Sequence, residues 1–165
     1  MLHSAYLSLG SSQGEKSRNL QQALDKIAEN CGIISKVSNV YETEPWGFEM
    51  EENFLNLAAL VQTEMQPAEL MKTLLEIEKQ MGRKRPIETR YSSRSIDIDI
   101  IFYDDLILKL PGLTIPHPHA HERRFVLQPL TDINPEYMHP TLSKSVMQLL
   151  SECSDKGKIK KVRGI

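Results

Sequence analysis

The stretch SRSIDIDIIFYDD, residues 93–105, decides the fold of this chain. Read with a period of two, one face carries only apolar side chains: Ile96, Ile98, Ile100 and Phe102. The other face carries Asp97 and Asp99, followed by Ile101 and Tyr103. Alternation of β-branched residues predicts a strand, and its apolar content places that strand in the middle of a sheet. A carboxylate there is costly unless it is paired or bound to a metal.

The composition is that of an ordinary globular protein. The chain has 165 residues, 40% hydrophobic and 25% charged, so we expect one domain spanning residues 1–165. A net charge of −2 gives no overall bias toward nucleic acid or an anionic membrane. Two cysteines provide no disulfide framework, and neither a signal peptide nor a membrane-length apolar run is present. These features predict a soluble, cytoplasmic protein with no membrane partner.

The order of predicted elements is strand, helix, strand, strand, helix, strand. This split β-α-β order predicts a ferredoxin-like α+β fold, with an antiparallel sheet covered by helices on both faces in three αβα layers. IISKVSNVYET, residues 33–43, is expected to form one strand, and a later helix is expected to end near Pro129. We expect residues 154–165, which are basic and weakly patterned, to form a loose tail.

The aspartate pair is a candidate metal site. Residues two apart on a strand lie about 6.5–7 Å apart at Cα, so Asp97 and Asp99 could share a pair of hard cations. Mg²⁺ prefers oxygen ligands and often combines one or two carboxylates with substrate phosphates. The alternative is that this face of an antiparallel sheet is simply solvated.

A basic stretch precedes the pair and favours phosphate binding. It contains five cations within twelve residues: Arg83, Lys84, Arg85, Arg90 and Arg94. Guanidinium groups bind phosphate oxygens bidentately, so these residues beside a metal site suit phosphoryl transfer. A solvated charged loop is the alternative. Nucleic acid is disfavoured as a partner, because the net charge is acidic and Tyr91 is the only aromatic residue in the stretch.

Two further groups of residues suggest small-molecule binding. IPHPHAHERRF contains His117, His119 and His121 at alternate positions, but Pro118 makes a regular strand unlikely. We therefore favour one histidine near phosphate over a zinc site. The second group is Trp46, Phe54 and Asn56, which suits a flat heterocycle with donors and acceptors, although a core role for Trp46 and a pairing role for Asn56 stay open.

Together these motifs resemble the 6-hydroxymethyl-7,8-dihydropterin pyrophosphokinase family of folate biosynthesis. The resemblance runs from AYLSLGSS through VYETEPWG, FLNLA, IEKQMGRKR, RSIDIDIIFYDD and IPHPHAHERRFVLQPL to NPEYMHP. It implies transfer of the diphosphate of ATP, the co-substrate, to the hydroxyl of 6-hydroxymethyl-7,8-dihydropterin, releasing AMP. The implied partners are these two small molecules, and the implied protein is a monomer.

The resemblance also assigns roles to individual positions. Asp97 and Asp99 would bind two Mg²⁺ ions, and Asp97 would also contact the substrate. Arg83, Arg85 and Arg94 would be catalytic phosphate-binding residues. Glu78 would lie near the ATP ribose, and Ile100 and Thr114 would read adenine through their backbones. The other ATP-binding positions would be Tyr91, His117 and Arg123. The pterin-binding positions would be Thr43, Glu44, Trp46, Phe54, Asn56 and the stacking residue Phe125.

Three positions depart from the family pattern. Pro118 and Gly112 stand where relatives can carry a tyrosine and an arginine, and Tyr91 stands where the family often has a tryptophan. Pro118 removes a hydroxyl contact, Gly112 removes a cation on the adenine side for which Lys109 could substitute, and Tyr91 changes how the closed loop would seal. None of these departures removes a metal ligand or a core phosphate cation.

Two other functional classes of protein are compatible with the sequence. A metal-dependent nuclease or nucleotidyltransferase of ferredoxin-like fold also sets two aspartates on a strand, but it would need a longer basic groove. A nucleotide-binding module without catalysis would not need the group formed by Trp46, Phe54 and Asn56. In the favoured mechanism no separate general base is evident, so catalysis depends on alignment and charge neutralisation.

Overall fold

A computed structural model describes residues 1–43, 53–82 and 95–162. The strands are β1 (His3–Ser11), β2 (Ile33–Val37), β3 (Val40–Thr43), β4 (Phe54–Thr63), β5 (Asp97–Tyr103), β6 (Leu108–Leu110), β7 (Leu113–Ile115) and β8 (Ile159–Val162). The α-helices are α1 (Lys16–Asn30), α2 (Pro67–Gln80), α3 (Arg124–Ile133) and α4 (Val146–Glu152), and Ala120–Glu122 forms a 3₁₀ turn.

The main sheet is antiparallel throughout its described pairs. Its order is β5-β1-β4-β3-β8, and β2 also pairs with β4. This is the strand order of a ferredoxin-like fold, so the predicted fold class is confirmed. The strand expected over residues 33–43 is divided into β2 and β3 at Ser38 and Asn39, and both parts pair with β4.

Helices cover both faces of the sheet and create two cores. One core contains residues of α1 and α2 with Leu7, Leu9, Ile98 and Ile100. The other contains residues of α3 and α4 with Tyr6, Ala58 and Ile101. In the described ranges, none of the helices combines the length and the apolar character needed to span a bilayer.

Strand β5 differs from its predicted form in two ways. It lies at one end of the sheet order, not in the middle, and its apolar content arises because helices cover both faces. The pairing with β1 also shifts between Tyr6 and Leu7. This irregularity reverses the alternation, so Phe102 packs in the α3 core and Tyr103 in the α1 core, contrary to the simple period of two.

The helix expected to end near Pro129 continues through it to Ile133. A proline inside a helix costs about 3 kcal/mol. Burial of Val126, Leu127 and Leu130 against the sheet offsets this, at roughly 1.5–3 kcal/mol for each large apolar side chain. Tertiary packing therefore outweighs the local preference.

The prediction of a loose tail is wrong for residues 159–162. They form β8, which pairs with β3 in the register Thr43↔Ile159 to Val40↔Val162. The reason is non-local: β3 has an open edge once it has paired with β4, and backbone pairing needs no apolar pattern in the added strand.

Candidate active site

The two aspartates lie on the α3 side of the sheet. Asp97 is opposite Gly10 on β1 and Asp99 is opposite Ser8, and both carboxylates are half-buried. Between them, Ile98 faces the opposite core, against α1 and α2. Two carboxylates therefore project from one face without being enclosed, which is the donor chemistry that Mg²⁺ prefers.

Gly10 connects the aspartates to the predicted pterin residues. Opposite Gly10 on the next strand is Asn56, so Asp97, Gly10 and Asn56 form one row across β5, β1 and β4. A β-carbon added to Gly10 would lie 2.8 Å from Oδ1 of Asn56 and 3.8 Å from Cδ1 of Phe54. Because Gly10 has no side chain, the Asn56 amide has room beside it. The surface between the Asp97 carboxylate and the Phe54 ring is also open at this position.

Asn56 is fixed by a second strand. Its amide Nδ2 donates a hydrogen bond of 2.7 Å to Oγ1 of Thr43, and both side chains are buried. Thr43 pairs in register with Phe54, which is half-buried on the same face as Asn56. The structure thus brings three of the predicted pterin residues together where β3 ends and β4 begins.

Glu78 holds the backbone between the two aspartates. It is only 3% exposed, and its Oε2 accepts a hydrogen bond of 2.7 Å from the backbone N–H of Ile98. Because β5 is at the end of the sheet order, this N–H points away from β1 and would otherwise lack a strand partner. The predicted contact of Glu78 with a ribose stays a prediction beside this structural bond.

An open cavity of about 250 Å³ lies next to Asp99. Four predicted site residues line it: the predicted metal ligand Asp99 and the predicted ATP-binding residues Ile100, Thr114 and His117. Ile100 is two residues beyond Ile98, so its backbone polar groups point toward the same open side of β5. This position suits backbone recognition of a base next to the carboxylates.

His117 enters this cavity as a neutral donor. Burial, followed by the charge of Arg123 and the His119 ring, lowers the pKa of His117 to about 4. Its Nδ1 accepts a hydrogen bond of 3.2 Å from the backbone N–H of His119, which leaves the ring proton on Nε2. His117 can therefore donate to a phosphate or ribose oxygen but adds no positive charge near neutral pH.

The other two histidines of the motif have different partners. His119 Nδ1 lies 3.1 Å from Oε1 of Glu122, and the ring of His121 lies 6.4 Å from the ring of His139. The His119 ring also lies 6.2 Å from the ring of His117, whereas the ring neighbour of His121 is His139. Within residues 1–43, 53–82 and 95–162, no group of three or more His, Cys, Asp or Glu side chains is placed to hold a metal ion.

Arg123 and Phe125 begin helix α3 beside the same face of the sheet. The guanidinium carbon of Arg123 lies 5.8 Å from the centre of the Phe125 ring, a cation–π distance. Both side chains are half-buried, and Phe125 packs against the α3 core. The predicted phosphate cation and the predicted stacking ring are therefore neighbours.

The remaining predicted site residues lie outside the described residues: Glu44, Trp46, Arg83, Arg85, Tyr91 and Arg94. The described residues on either side of the basic stretch meet. Oγ of Ser95, two residues before Asp97, donates a hydrogen bond of 2.9 Å to the carbonyl of Met81.

Sequence reasoning missed Gly10 as a site residue. The available signal was a glycine inside an apolar strand, which often marks a close approach of a neighbouring group. The identity of that neighbour depends on the pairing of β1 with β4, which local pattern does not reveal.

The fold and the site together are those of a ferredoxin-like α+β domain with a carboxylate pair suited to metal-assisted phosphoryl transfer. The sequence model of the 7,8-dihydro-6-hydroxymethylpterin-pyrophosphokinase (HPPK) family matches residues 6–135. The 2-amino-4-hydroxy-6-hydroxymethyldihydropteridine pyrophosphokinase of Aquifex aeolicus is 37% identical over 147 residues, which cover 89% of this chain and 90% of that protein. The chain belongs to the HPPK family.

Other relatives are longer. Folic acid synthesis protein FOL1 of Dictyostelium discoideum is 43% identical over 138 residues, which are 83% of this chain but 20% of that protein. The crystal structure of a Plasmodium falciparum HPPK-DHPS triple mutant superposes with a TM-score of 0.76 at 19% identity, covering 92% of this chain and 44% of that one. This chain thus spans a fifth to under a half of these two relatives.

Proposed function

We propose that this chain transfers the diphosphate of ATP to the hydroxyl of 6-hydroxymethyl-7,8-dihydropterin, giving the pterin diphosphate and AMP in folate biosynthesis. The family membership and the Aquifex relative support this reaction. We also infer that residues 1–165 act as one catalytic domain, because both helix layers pack on one sheet.

One observation carries the assignment of the site: Asp97, Gly10 and Asn56 lie in one row across three strands. Neighbouring strands are about 4.8 Å apart, so the carboxylate strand and the amide strand are separated by roughly 10 Å. A pterin ring held by Asn56, Phe54 and Phe125 would direct its hydroxymethyl group along the row toward Asp97. The ATP phosphates would approach from the cavity beside Asp99.

Asp97 and Asp99 would hold two Mg²⁺ ions, with phosphate oxygens and water completing the coordination. When bound, the ions would neutralise phosphate charge and lower the pKa of the attacking hydroxyl. The half-buried carboxylates on one strand face fit this chemistry, since they are accessible yet fixed by β1 and by Glu78.

The side chains of the site would align the reactants and stabilise charge. The pterin hydroxyl oxygen would attack the β-phosphorus of ATP, the bond from that phosphorus to the bridging oxygen of AMP would break, and the hydroxyl proton would pass to solvent. His117 would donate a hydrogen bond from Nε2–H to an oxygen of the nucleotide, and Arg123 would supply fixed positive charge. Arg83, Arg85 and Arg94 are proposed to contact the phosphates as well. Alignment of this kind accelerates a displacement without a dedicated base.

The test is product analysis with MgATP and reduced 6-hydroxymethylpterin. We expect AMP and the pterin diphosphate in equal amounts. A matched pair of variants assigns the site: Asp97→Asn should lose most activity, whereas Asp105→Asn, which changes an exposed acid in the turn after the same strand, should not. Formation of ADP, cleavage of nucleic acid, or equal activity of both variants would contradict the proposal.

A further inference from the structure

Residues 154–162 form a strap that the catalytic roles above do not use. The strap leaves α4 after the buried Cys153 and ends as β8 on the edge of β3. It carries four exposed lysines: Lys156, Lys158, Lys160 and Lys161. Lysines on an edge strand discourage further strand pairing, so their charge alone does not point to a ligand. Its two attachment points are more informative.

The first attachment is at the start of helix α3. Oδ2 of Asp155 accepts a hydrogen bond of 3.1 Å from the backbone N–H of Arg124, and Oδ1 accepts one of 2.8 Å from the N–H of Gly157. Arg124 Nη1 donates a bond of 3.0 Å to the carbonyl of Gly157, closing the ring of contacts. Asp155 thus acts as a helix cap supplied from 31 residues away, where a carboxylate is favoured.

This cap lies at the functional end of α3. Arg123 and Phe125 flank Arg124 in the chain, so the backbone that presents the phosphate cation and the stacking ring is the backbone that Asp155 holds. The other end of α3 is secured separately, because Oδ2 of Asp132 accepts hydrogen bonds from Tyr41 and Asn39. Among the described hydrogen bonds, those that join β3 directly to α3 reach Asp132, and none reaches the first turn of α3, where Phe125 lies.

The second attachment is on β3. Ile159 pairs directly with Thr43, whose hydroxyl oxygen accepts the hydrogen bond from the side-chain amide of Asn56. Three residues, 156–158, therefore separate Asp155 at the start of α3 from Ile159, the partner of Thr43 at the end of β3. The strap links the wall formed by Phe125 to the wall formed by Thr43 and Asn56.

We propose that the strap is a positioning element that sets the width of the pterin side of the site. It fixes the Phe125 ring relative to the Asn56 amide, which would bind the edge of the pterin. Its residues do not line the cavity beside Asp99. This inference rests on the function proposed above, because it concerns the pterin subsite of that reaction. It predicts that loosening the strap weakens pterin binding more than ATP binding, because both attachment points adjoin pterin residues, whereas only Arg123 at the first attachment belongs to the ATP side.

The experiment compares Asp155→Ala with Lys156→Ala, a neighbouring exposed residue of the strap. Asp155→Ala should raise KM for the pterin about tenfold, the effect of losing one important hydrogen bond, and should raise KM for ATP by a clearly smaller factor. Asp155→Asn, which keeps one acceptor oxygen, should restore part of the affinity. Lys156→Ala should match wild type.

Amide hydrogen exchange on the same variants of residues 1–165 separates this proposal from the reaction itself. Asp155→Ala should speed exchange at Phe125 and also at Thr43, although Thr43 makes no contact with Asp155. Exchange that rises at Phe125 alone, or KM values for the pterin and ATP that rise by the same factor, would contradict the proposed role of the strap. Wild-type protein that forms no AMP would refute the proposed function, while the exchange result would still decide whether the strap couples the two walls.

Discussion

Gly10 and Asn56 approach so closely that no side chain fits between them: a β-carbon on Gly10 would lie 2.8 Å from Oδ1 of the amide. The amide is held from its other end by Thr43, so it has little freedom to move away. The glycine is therefore part of the pterin subsite, although it has no functional group.

Gly10→Ala should displace the Asn56 amide, since overpacking of this kind typically costs about 1–3 kcal/mol. We expect Kd for the pterin to rise tenfold or more and Kd for MgATP to stay within about twofold. Fluorescence or calorimetric titration measures both. Ser8→Ala on the same strand and face adds no atom and serves as the control; if it weakens pterin binding as much as Gly10→Ala, steric exclusion is not the cause.

Glu78 should support catalysis through the backbone of β5. Glu78→Ala removes the acceptor for the Ile98 N–H, and we expect the free energy of unfolding to fall by about 1–3 kcal/mol together with a loss in kcat. Glu78→Gln retains a carbonyl acceptor and should recover part of both. Urea unfolding and steady-state assays measure the effects, with Glu76→Ala, an exposed change on the same helix, as control. Equal behaviour of the Glu76 and Glu78 variants would refute this role.

His117 should remain neutral across the physiological range because burial and Arg123 lower its pKa to about 4. The ring resonances followed by NMR should therefore move near pH 4, and Arg123→Gln should shift that transition upward, toward the ordinary value near 6.5. The unfolded chain takes up this proton at higher pH than the folded chain. The associated stability is thus present above about pH 6.5 and is lost as the pH falls toward 4. A transition near 6.5 in the wild type would show that burial and Arg123 do not lower the pKa of His117.

Asp97→Asn and Asp99→Asn should fold normally and lose turnover by about 10³-fold, because each substitution removes the charge that a hard cation requires. Circular dichroism checks the fold, and AMP release measures the rate. The exposed Asp105→Asn variant controls for a general change in charge. Either aspartate variant retaining near-normal turnover with Mg²⁺ would exclude a shared metal site.

The fold was predictable from the sequence because its signals are local. The apolar stripes of α1 and α2 and the alternation around Asp97 and Asp99 determine element type and face without reference to distant residues. The order of these elements then selects a ferredoxin-like sheet.

The errors share a non-local cause. The reversal at Phe102 depends on the pairing of β5 with β1, and the helical Pro129 depends on packing against the sheet. Strand β8 exists because β3 offers an open edge. Gly10 becomes significant only when β4 places Asn56 over it. Each of these needs the assembled sheet, which no window of sequence contains.

The most direct measurement is a crystal structure of the protein with Mg²⁺, a non-hydrolysable ATP analogue whose α,β-bridging oxygen is replaced, and 6-hydroxymethylpterin. We expect two Mg²⁺ ions held by the carboxylates of Asp97 and Asp99, with the pterin hydroxyl opposite the bridging group at the β-phosphorus. Carboxylates that bind no metal while both substrates are in place would contradict the proposed site and mechanism.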